Sequence, residues 1–231
     1  MDMEKQIQFY TQKIQGESKE IFDAFRALLL EYNEKYNLTT ILEEQDMLYK
    51  HFVDSAVGAF LFKQNASVAE IGSGAGFPSI PLKILRPDLT MSLFESVGKK
   101  CEFLRVVVDK LGLSNMHIYN MRAEDAAKDI KFRESFDHVT ARAVARQNTL
   151  TEYCFPFVKV GGTFIAYKSG DTQEIYEAKN AYKVLGGSLK DVFSYTLPFG
   201  YGDRTLAVVE KHKHTPDKYP RGQGKERKNP L

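Results

Sequence analysis

Strand-like and helix-like segments alternate along this chain from residue 67 onward, and this order constrains the fold more than any other feature. Short β-rich runs such as SVAEI, TMSLFE and MHIYN are each followed by a stretch with helical character. Such alternation is typical of a doubly wound α/β sheet with helices on both faces. The last two of seven predicted strands, DVFSYTL and RTLAVVEK, have no helix between them, so we expect an antiparallel hairpin at one sheet edge.

The first 64 residues are predicted to form a helical region ahead of the sheet. Apolar side chains recur there at three- and four-residue steps and would line one face of a helix; they are Phe22, Phe25, Leu29, Tyr32 and Tyr36. A second helix is predicted through EEQDMLYKHFVDSAV, with Thr39 or Thr40 as its cap. Residues 65–210 are then assigned to a Rossmann-like domain.

Residues 211–231 are assigned to a basic C-terminal tail. They hold seven Lys or Arg and two Asp or Glu, whereas the whole chain has a formal net charge of +2. Basic side chains gain affinity for polyanions by releasing counterions from phosphates, and a solvated tail that only aids solubility is the alternative. Because this segment is rich in Pro, Gly and charge, we expect it to be poorly ordered on its own.

Composition excludes several classes of protein. Hydrophobic residues make up 43% of the chain and charged residues 27%, as in globular proteins and unlike disordered or fibrous ones. The two cysteines, Cys101 and Cys154, form no CxxC pair, so we expect neither a disulfide framework nor a metal site. No apolar run has membrane-spanning length, and the first residues lack a signal-peptide pattern. We therefore expect a soluble cytoplasmic protein that does not bind membranes.

The turn after the first predicted strand is rich in glycine. Gly72, Gly74 and Gly76 form a GxGxG pattern, and glycines at such a place permit a tight turn and the close approach of a ligand. Phe77 stands where the dinucleotide fingerprint has its third glycine or alanine, and a bulky ring there disfavours a pyrophosphate. An ordinary tight turn is the alternative interpretation.

An acidic residue, Glu95, ends the next predicted strand, 23 residues after Gly72. A carboxylate there can accept hydrogen bonds from both ribose hydroxyls of an adenosine, although a solvated strand-end carboxylate is also possible. Adenosine without a pyrophosphate points to S-adenosylmethionine. The sequence therefore predicts the class I S-adenosylmethionine-dependent methyltransferase fold, which is α/β and Rossmann-like with a seven-stranded sheet and a terminal antiparallel hairpin.

Later strand ends supply further candidates, because ligands of open α/β sheets lie at the carboxyl ends of strands. Ala123 and Glu124 follow the third predicted strand, where they could meet the adenine. Arg142 ends the fourth strand, close to the expected position of the methyl group, and Lys168 ends the fifth. The alternatives are a helix start for Glu124 and surface ion pairs for the two basic residues.

Several segments together resemble the bacterial RsmG family, also called GidB. They are, in order, YNLTTILEEQDMLYKHFVDS, EIGSGAGFPSIPL, ESVGKKCEFL, RAED, FDHVTARAVA, GGTFIAYKSG and TPDKYPRGQGKERKNPL. The resemblance implies a methyltransferase that uses S-adenosylmethionine to methylate guanine N7 in a loop of 16S ribosomal RNA near the decoding site. The family pattern implies a cofactor site that includes Gly72, Phe77, Ala123, Glu124 and Arg142.

Methylation of guanine N7 does not require the protein to remove a proton from the base. The nitrogen has an exposed lone pair and loses no proton, so alignment is the main requirement and no general base is expected. No catalytic residue is therefore predicted, and Arg142 and Lys168 are candidates for positioning the substrate. Because the product base is positively charged, Arg142 is expected at a phosphate or at the guanine carbonyl edge, beside its implied role at the cofactor.

The expected partner is 16S ribosomal RNA, the small subunit or an assembly intermediate, and neither DNA binding nor an oligomer is expected. Since N7 faces the deep major groove of an RNA helix, the target base must be unpaired or extruded. The RNA-binding candidates are Asn37, His51, Asp54, Arg146, Arg204, Lys225, Arg227 and Lys228. A nicotinamide-dependent oxidoreductase and a noncatalytic RNA-binding or ribosome-assembly protein are the alternative functions.

Overall fold

One seven-stranded sheet organises the computed structural model, which describes residues 1–170 and 172–231. The strands are β1 (Ser67–Ile71), β2 (Thr90–Glu95), β3 (Met116–Asn120), β4 (Phe136–Arg142), β5 (Val158–Ser169), β6 (Gly187–Leu197) and β7 (Gly202–Lys211). Their spatial order is β3-β2-β1-β4-β5-β7-β6, with the first five parallel and β7 antiparallel to both of its neighbours. The seven predicted strands and the terminal hairpin are confirmed.

Helices cover both faces of the sheet. They are α1 (Met3–Gln15), α2 (Lys19–Tyr36), α3 (Glu44–Met47), α4 (Asp54–Ala56), α5 (Ser79–Leu85), α6 (Gly98–Lys110), α7 (Ala123–Ala126), α8 (Gln147–Cys154), α9 (Gln173–Glu177), α10 (Lys179–Leu185) and α11 (Lys225–Lys228). A wide π-helical segment, Leu48–Val53, joins α3 to α4. Among the described residues, no helix is both long and apolar enough to cross a bilayer.

The N-terminal helices share one hydrophobic core with the sheet. The predicted apolar stripe of α2 is confirmed, because Phe22, Phe25 and Leu29 are buried and the two tyrosines of the stripe are half-buried. The ring of Phe25 packs against those of Phe52 and Phe77, with centroids 5.7 and 5.5 Å away. The chain around the glycine turn is therefore packed directly against the helical region.

The predicted threonine cap is wrong. The helix begins at Glu44, and the residue before it makes no side-chain capping bond. Thr39 instead accepts a hydrogen bond from the Ile41 N–H (3.0 Å) and bonds to Nε2 of His51 (2.8 Å). The hydroxyl is used by a local turn and by a buried histidine, which competes with capping.

The C-terminal tail is not poorly ordered, so that expectation is wrong as well. Arg221 forms a bidentate ion pair with the fully buried Glu152 of α8, at 2.9 and 2.6 Å. Glu226 is also fully buried; it accepts the N–H of Gly222, and its carbonyl accepts the hydroxyl of Thr149 at 2.9 Å. This proline-, glycine- and charge-rich segment is packed rather than solvated, because Arg221 has a buried partner on α8 and Glu226 is enclosed by the segment and α8.

Candidate functional site

The sheet reverses its direction of growth between β1 and β4. The chain adds β2 and β3 on one side of β1 and then returns to place β4 on the other side. In an open α/β sheet, such a switch point leaves a crevice at the carboxyl ends of the strands. Two cavities lie there, and Val144, in the loop after β4, lines both.

The smaller cavity, of about 230 Å³, is called here the glycine-turn cavity. It is lined by the ends of β1 and β2, by the start of α7 and by three residues from farther along the chain. Its lining is Ile71, Gly72, Phe94, Glu95, Ser96, Met121, Arg122, Ala123, Glu124, Val144, Tyr153 and Arg227. Of this set, Gly72, Glu95, Ala123 and Glu124 are predicted from the sequence to bind the cofactor.

The glycine turn adopts a backbone that favours glycine. Gly72, Gly74 and Gly76 have φ of 71°, 57° and 88°. A Cβ on Gly72 would lie 2.7 Å from Cγ2 of Val144, whereas a Cβ on Gly74 would meet only a carbonyl oxygen, at 3.9 Å. The first glycine therefore permits the close approach of the next loop, and the second leaves open space above the backbone.

Glu95 is fixed against this turn. Its Oε2 accepts the Gly74 N–H at 2.9 Å, and its Oε1 accepts the Val97 N–H at 2.8 Å. Each carboxylate oxygen can still accept a further hydrogen bond, because each has two lone pairs. A buried carboxylate held in this way is suited to two neighbouring hydroxyl donors.

A second acid, Glu70, lies beneath the turn on β1. It is fully buried, and burial raises its pKa to about 8, against the opposing effects of the adjacent Ser79 and of the charge of Arg142. Neither of its carboxyl oxygens has a hydrogen-bond partner in the described part of the chain. Glu70 is therefore a neutral carboxylic acid near pH 7.

The wall of the glycine-turn cavity that faces α8 was not predicted from sequence. Tyr153 of α8 is buried there, and its pKa is raised by burial. Arg227 reaches the cavity from α11 and donates from Nη2 to the Val144 carbonyl at 3.3 Å. Arg227 is an RNA-binding candidate from the sequence, and in the structure it lies beside Glu124 and Tyr153 in this wall. Arg227 is itself exposed, as are Lys225 and Lys228 on the same helical turn, but neither lysine lines the cavity.

The larger cavity, of about 550 Å³, is called here the basic cavity. Five of its residues are basic and two are acidic, so the field inside it favours an anionic ligand. The basic residues are Lys50, Arg142, Arg146, Lys168 and Arg204, and the acidic ones are Asp54 and Glu174. The predicted substrate-positioning residues therefore lie together.

Arg142 is the most constrained of these cations. Its Nη1 donates to Oδ2 of Asp54 at 3.0 Å and to the Lys50 carbonyl at 3.2 Å, and its Nη2 donates to Nδ1 of His51 at 3.0 Å. Asp54 also accepts the hydroxyl of Tyr195 at 2.8 Å. Of the five guanidinium N–H groups, two have no partner in residues 1–170 and 172–231, so Arg142 can still donate to a ligand.

His51 and Asp54 are buried, and both side chains are used inside the protein. Burial and the adjacent Arg142 lower the pKa of His51 to about 3. The neutral ring accepts from Arg142 at Nδ1, which places its hydrogen on Nε2, toward Thr39. Both residues, which are RNA-binding candidates from the sequence, line the basic cavity, and their side chains hold Arg142 in place.

Phe77 links the glycine turn to the Arg142 network. Its ring stacks on the imidazole of His51, with centroids 4.3 Å apart and an interplanar angle of 16°, and the guanidinium carbon of Arg142 lies 5.1 Å from its centroid. Phe77 was predicted to contact the cofactor; in the structure its side chain supports the Arg142 network from the glycine turn.

Lys168 fixes the loop that separates the cavities. Its ammonium donates to the Ala145 carbonyl at 2.8 Å and pairs with Glu174 at 2.9 Å. Arg146, on the same loop, is exposed and pairs with Glu177 at 3.2 Å, and Arg204 of β7 lies 3.6 Å from Asp54. Asn37 is exposed at the end of α2 in a left-handed conformation. No cluster of three metal-binding side chains occurs among the residues that the structure describes.

Comparisons with known proteins identify relatives along nearly the whole chain. A family model described as rRNA small subunit methyltransferase G (GidB) matches residues 18–199. A protein named Ribosomal RNA small subunit methyltransferase G from Brevibacillus brevis is 49% identical over 216 residues, which cover 92% of this chain and 91% of the relative. A protein of the same name from Lactobacillus johnsonii is 44% identical over 232 residues, covering 98% and 97%.

Solved structures with the same fold include methyltransferases. The TYW2 protein of M. jannaschii, in complex with AdoMet, has a TM-score of 0.55 and 17% identity and covers 68% of this chain and 74% of that one. A SAM-dependent O-methyltransferase from Thermotoga maritima has a TM-score of 0.55 and 13% identity, covering 81% and 73%. The predicted fold class is confirmed.

Proposed function

Because the chain belongs to the GidB family, rRNA small subunit methyltransferase G, we propose that it methylates N7 of a guanine in a 16S ribosomal RNA loop near the decoding site. The chain is an S-adenosylmethionine-dependent methyltransferase, as its family and fold require. The observation that carries the proposal is the pairing of two cavities at the switch point, one with a glycine turn and an anchored acid, the other basic.

The glycine-turn cavity fits S-adenosylmethionine. Glu95 is held with lone pairs available for ribose hydroxyls, and the open backbone at Gly74 leaves room for a ligand that a side chain would exclude. Ala123 and Glu124 border the same space and would contact the adenine. When bound there, S-adenosylmethionine supplies a methyl group attached to a positively charged sulfur.

Arg227 belongs to this proposed cofactor site rather than to the RNA surface. Its side chain lines the cavity and is held by the Val144 carbonyl. A guanidinium can lie against the face of an aromatic base or donate to its ring nitrogens. The buried Arg221–Glu152 pair and the buried Glu226 hold the segment in this position.

The basic cavity would take the target guanine. The base must leave its helix to expose N7, and the cations around the cavity would hold the flanking phosphates. Arg142 has donors left for the guanine O6 edge, and Asp54 neutralises its charge. This neutralisation matters because the base becomes positively charged when N7 forms its bond to carbon and the carbon–sulfur bond breaks. No proton moves in that step, so the chain needs no general base.

The alternative functions have less support. Membership of a methyltransferase family excludes the interpretation as a nicotinamide-dependent oxidoreductase. A noncatalytic RNA-binding protein would not need the second cavity beside the basic one. We further propose that the protein acts as a cytoplasmic monomer on RNA or on the small subunit.

Transfer of labelled methyl groups to small-subunit RNA that lacks the modification tests this function. The product is mapped by strand cleavage at 7-methylguanosine. The proposal predicts one cleavage site in a loop near the decoding site, which depends on S-adenosylmethionine. A label on an exocyclic amine, a ribose or another region of the RNA would contradict it.

A further inference from the structure

Three aromatic rings form a cluster at the tip of the β6–β7 hairpin. Phe199 is 66% exposed, and its ring centroid lies 5.2 Å from that of Tyr49 and 6.1 Å from that of Tyr201. The two tyrosines are half-buried and pack against the core, whereas Phe199 lies on top of them. We call these three residues the aromatic platform.

The backbone at Phe199 disfavours the residue that is there. Phe199 and Gly200 have φ of 58° and 72°, and the Tyr201 N–H donates to the Pro198 carbonyl at 3.2 Å. These are the features of a type I′ hairpin turn, whose two central positions favour Asn, Asp and Gly. Turn stability therefore does not account for Phe199, and neither does burial.

Lys50 connects the aromatic platform to the basic cavity. Its ammonium lies 4.3 Å from the ring centroid of Tyr201 and pairs with Asp46 at 2.6 Å. The same residue lines the basic cavity, and its carbonyl accepts a hydrogen bond from Arg142. The platform is thus continuous with the site that the proposed function assigns to the target base.

We propose that the aromatic platform stacks an unpaired base of the ribosomal RNA next to the target guanine, with Lys50 at the phosphate between them. Extruding one base leaves its neighbours unstacked, and aromatic rings beside a cation are the usual surface on which proteins bind single-stranded RNA. RNA is favoured over a protein partner because the platform adjoins a cavity with a surplus of cations. This inference rests on the proposed function, since it needs a nucleic acid in the basic cavity.

Substitutions at Phe199 separate stacking from folding. Phe199→Asn removes the ring and introduces a residue that the turn prefers, so the melting temperature should stay the same or rise. Phe199→Trp keeps an aromatic surface, and Phe199→Leu keeps an apolar side chain without one. Phe9→Ala is the matched control, because Phe9 is 53% exposed on α1 and lines neither cavity.

The measurement is the equilibrium affinity of the full chain for a labelled RNA loop that contains the target guanine, with S-adenosylhomocysteine present. Loss of one stacked base should weaken binding by about 10-fold in Phe199→Asn and Phe199→Leu. Phe199→Trp and Phe9→Ala should stay within about 2-fold of the wild type. Affinity for S-adenosylhomocysteine alone should be unchanged in all four variants.

Three results would overturn the inference. RNA affinity of Phe199→Asn equal to that of the wild type would exclude stacking, as would an equal loss in Phe9→Ala. Weakened binding to the small subunit with unchanged binding to naked RNA would mean that the platform contacts a ribosomal protein. If the wild type methylates another atom while RNA affinity still depends on Phe199, the proposed function fails and the platform stands.

Discussion

The two cavities at the switch point are built in different ways. The glycine-turn cavity takes most of its lining from the ends of successive strands, and its central bond joins Glu95 to Gly74, 21 residues apart. The basic cavity depends on contacts across much longer separations, since Arg142 is bonded to Asp54 and His51, 88 and 91 residues earlier. The proposed cofactor site is therefore mostly local to a βαβ unit, whereas the proposed substrate site requires the N-terminal helices to be docked.

The cavities also differ in their buried titratable groups, and the largest expected effect concerns Glu70 beneath the glycine turn. Its carboxyl keeps a proton in the folded state up to about pH 8, whereas the unfolded chain releases it near pH 4.5. The free energy of unfolding should therefore fall as pH rises from 4.5 to 8, by at most about 5 kcal/mol. Glu70→Gln should remove that slope, as measured by denaturant unfolding at several pH values. Parallel curves for the two proteins would contradict a raised pKa.

The next effect separates the cofactor site from the substrate site. Gly74→Val places a side chain in the open space above the turn, so the affinity for S-adenosylmethionine should fall at least about 100-fold, or about 2.8 kcal/mol. Gly112→Val is the matched control, because Gly112 has a similar φ of 62° and open surroundings in the loop after α6. Calorimetric titration of both variants measures the difference. Equal affinities in the two would remove the glycine turn from the cofactor site.

A substitution at Arg142 tests the basic cavity instead of the glycine turn. Arg142→Lys keeps the charge but loses the planar fork that bonds Asp54, His51 and the Lys50 carbonyl together. The rate of methyl transfer should fall about 30-fold while the affinity for S-adenosylmethionine stays within about 2-fold, because alignment of the base is lost. Single-turnover kinetics and calorimetry measure the two quantities. A parallel loss of both would mean that Arg142 contacts the cofactor, as the family resemblance also allows.

The smallest expected effect concerns Arg227 in the C-terminal tail. This substitution tests whether the residue belongs to the proposed cofactor site or to the RNA surface. Arg227→Ala should lower the affinity for S-adenosylmethionine about 5-fold, or about 1 kcal/mol, because one wall of the cavity loses a donor. Lys225→Ala, on the same helical turn and exposed, should leave it unchanged. If instead only the salt dependence of RNA binding changes in Arg227→Ala, the residue belongs to the RNA surface.

Sequence patterns predicted those features of the fold and the site that are determined by residues close together in the chain. The seven strands, the positions of the glycines and the acid at the end of β2 follow from local periodicity and spacing, and the structure confirms where they lie. The contacts of Arg142 with His51 and Asp54 could not be predicted in this way, because no local pattern encodes which helix packs over which strand end. The basic tail shows the same limit: its charge suggested RNA, but the partner of Arg221 is a buried glutamate 69 residues earlier.

The central claim is that the cofactor and the target base occupy separate cavities on either side of Val144. A crystal structure of the full chain with S-adenosylhomocysteine and guanosine monophosphate tests it most directly. We predict the adenosine over the glycine turn, with both ribose hydroxyls at Glu95, and the guanine in the basic cavity with O6 facing Arg142. Adenosine density in the basic cavity, or a ribose away from Glu95, would contradict the account.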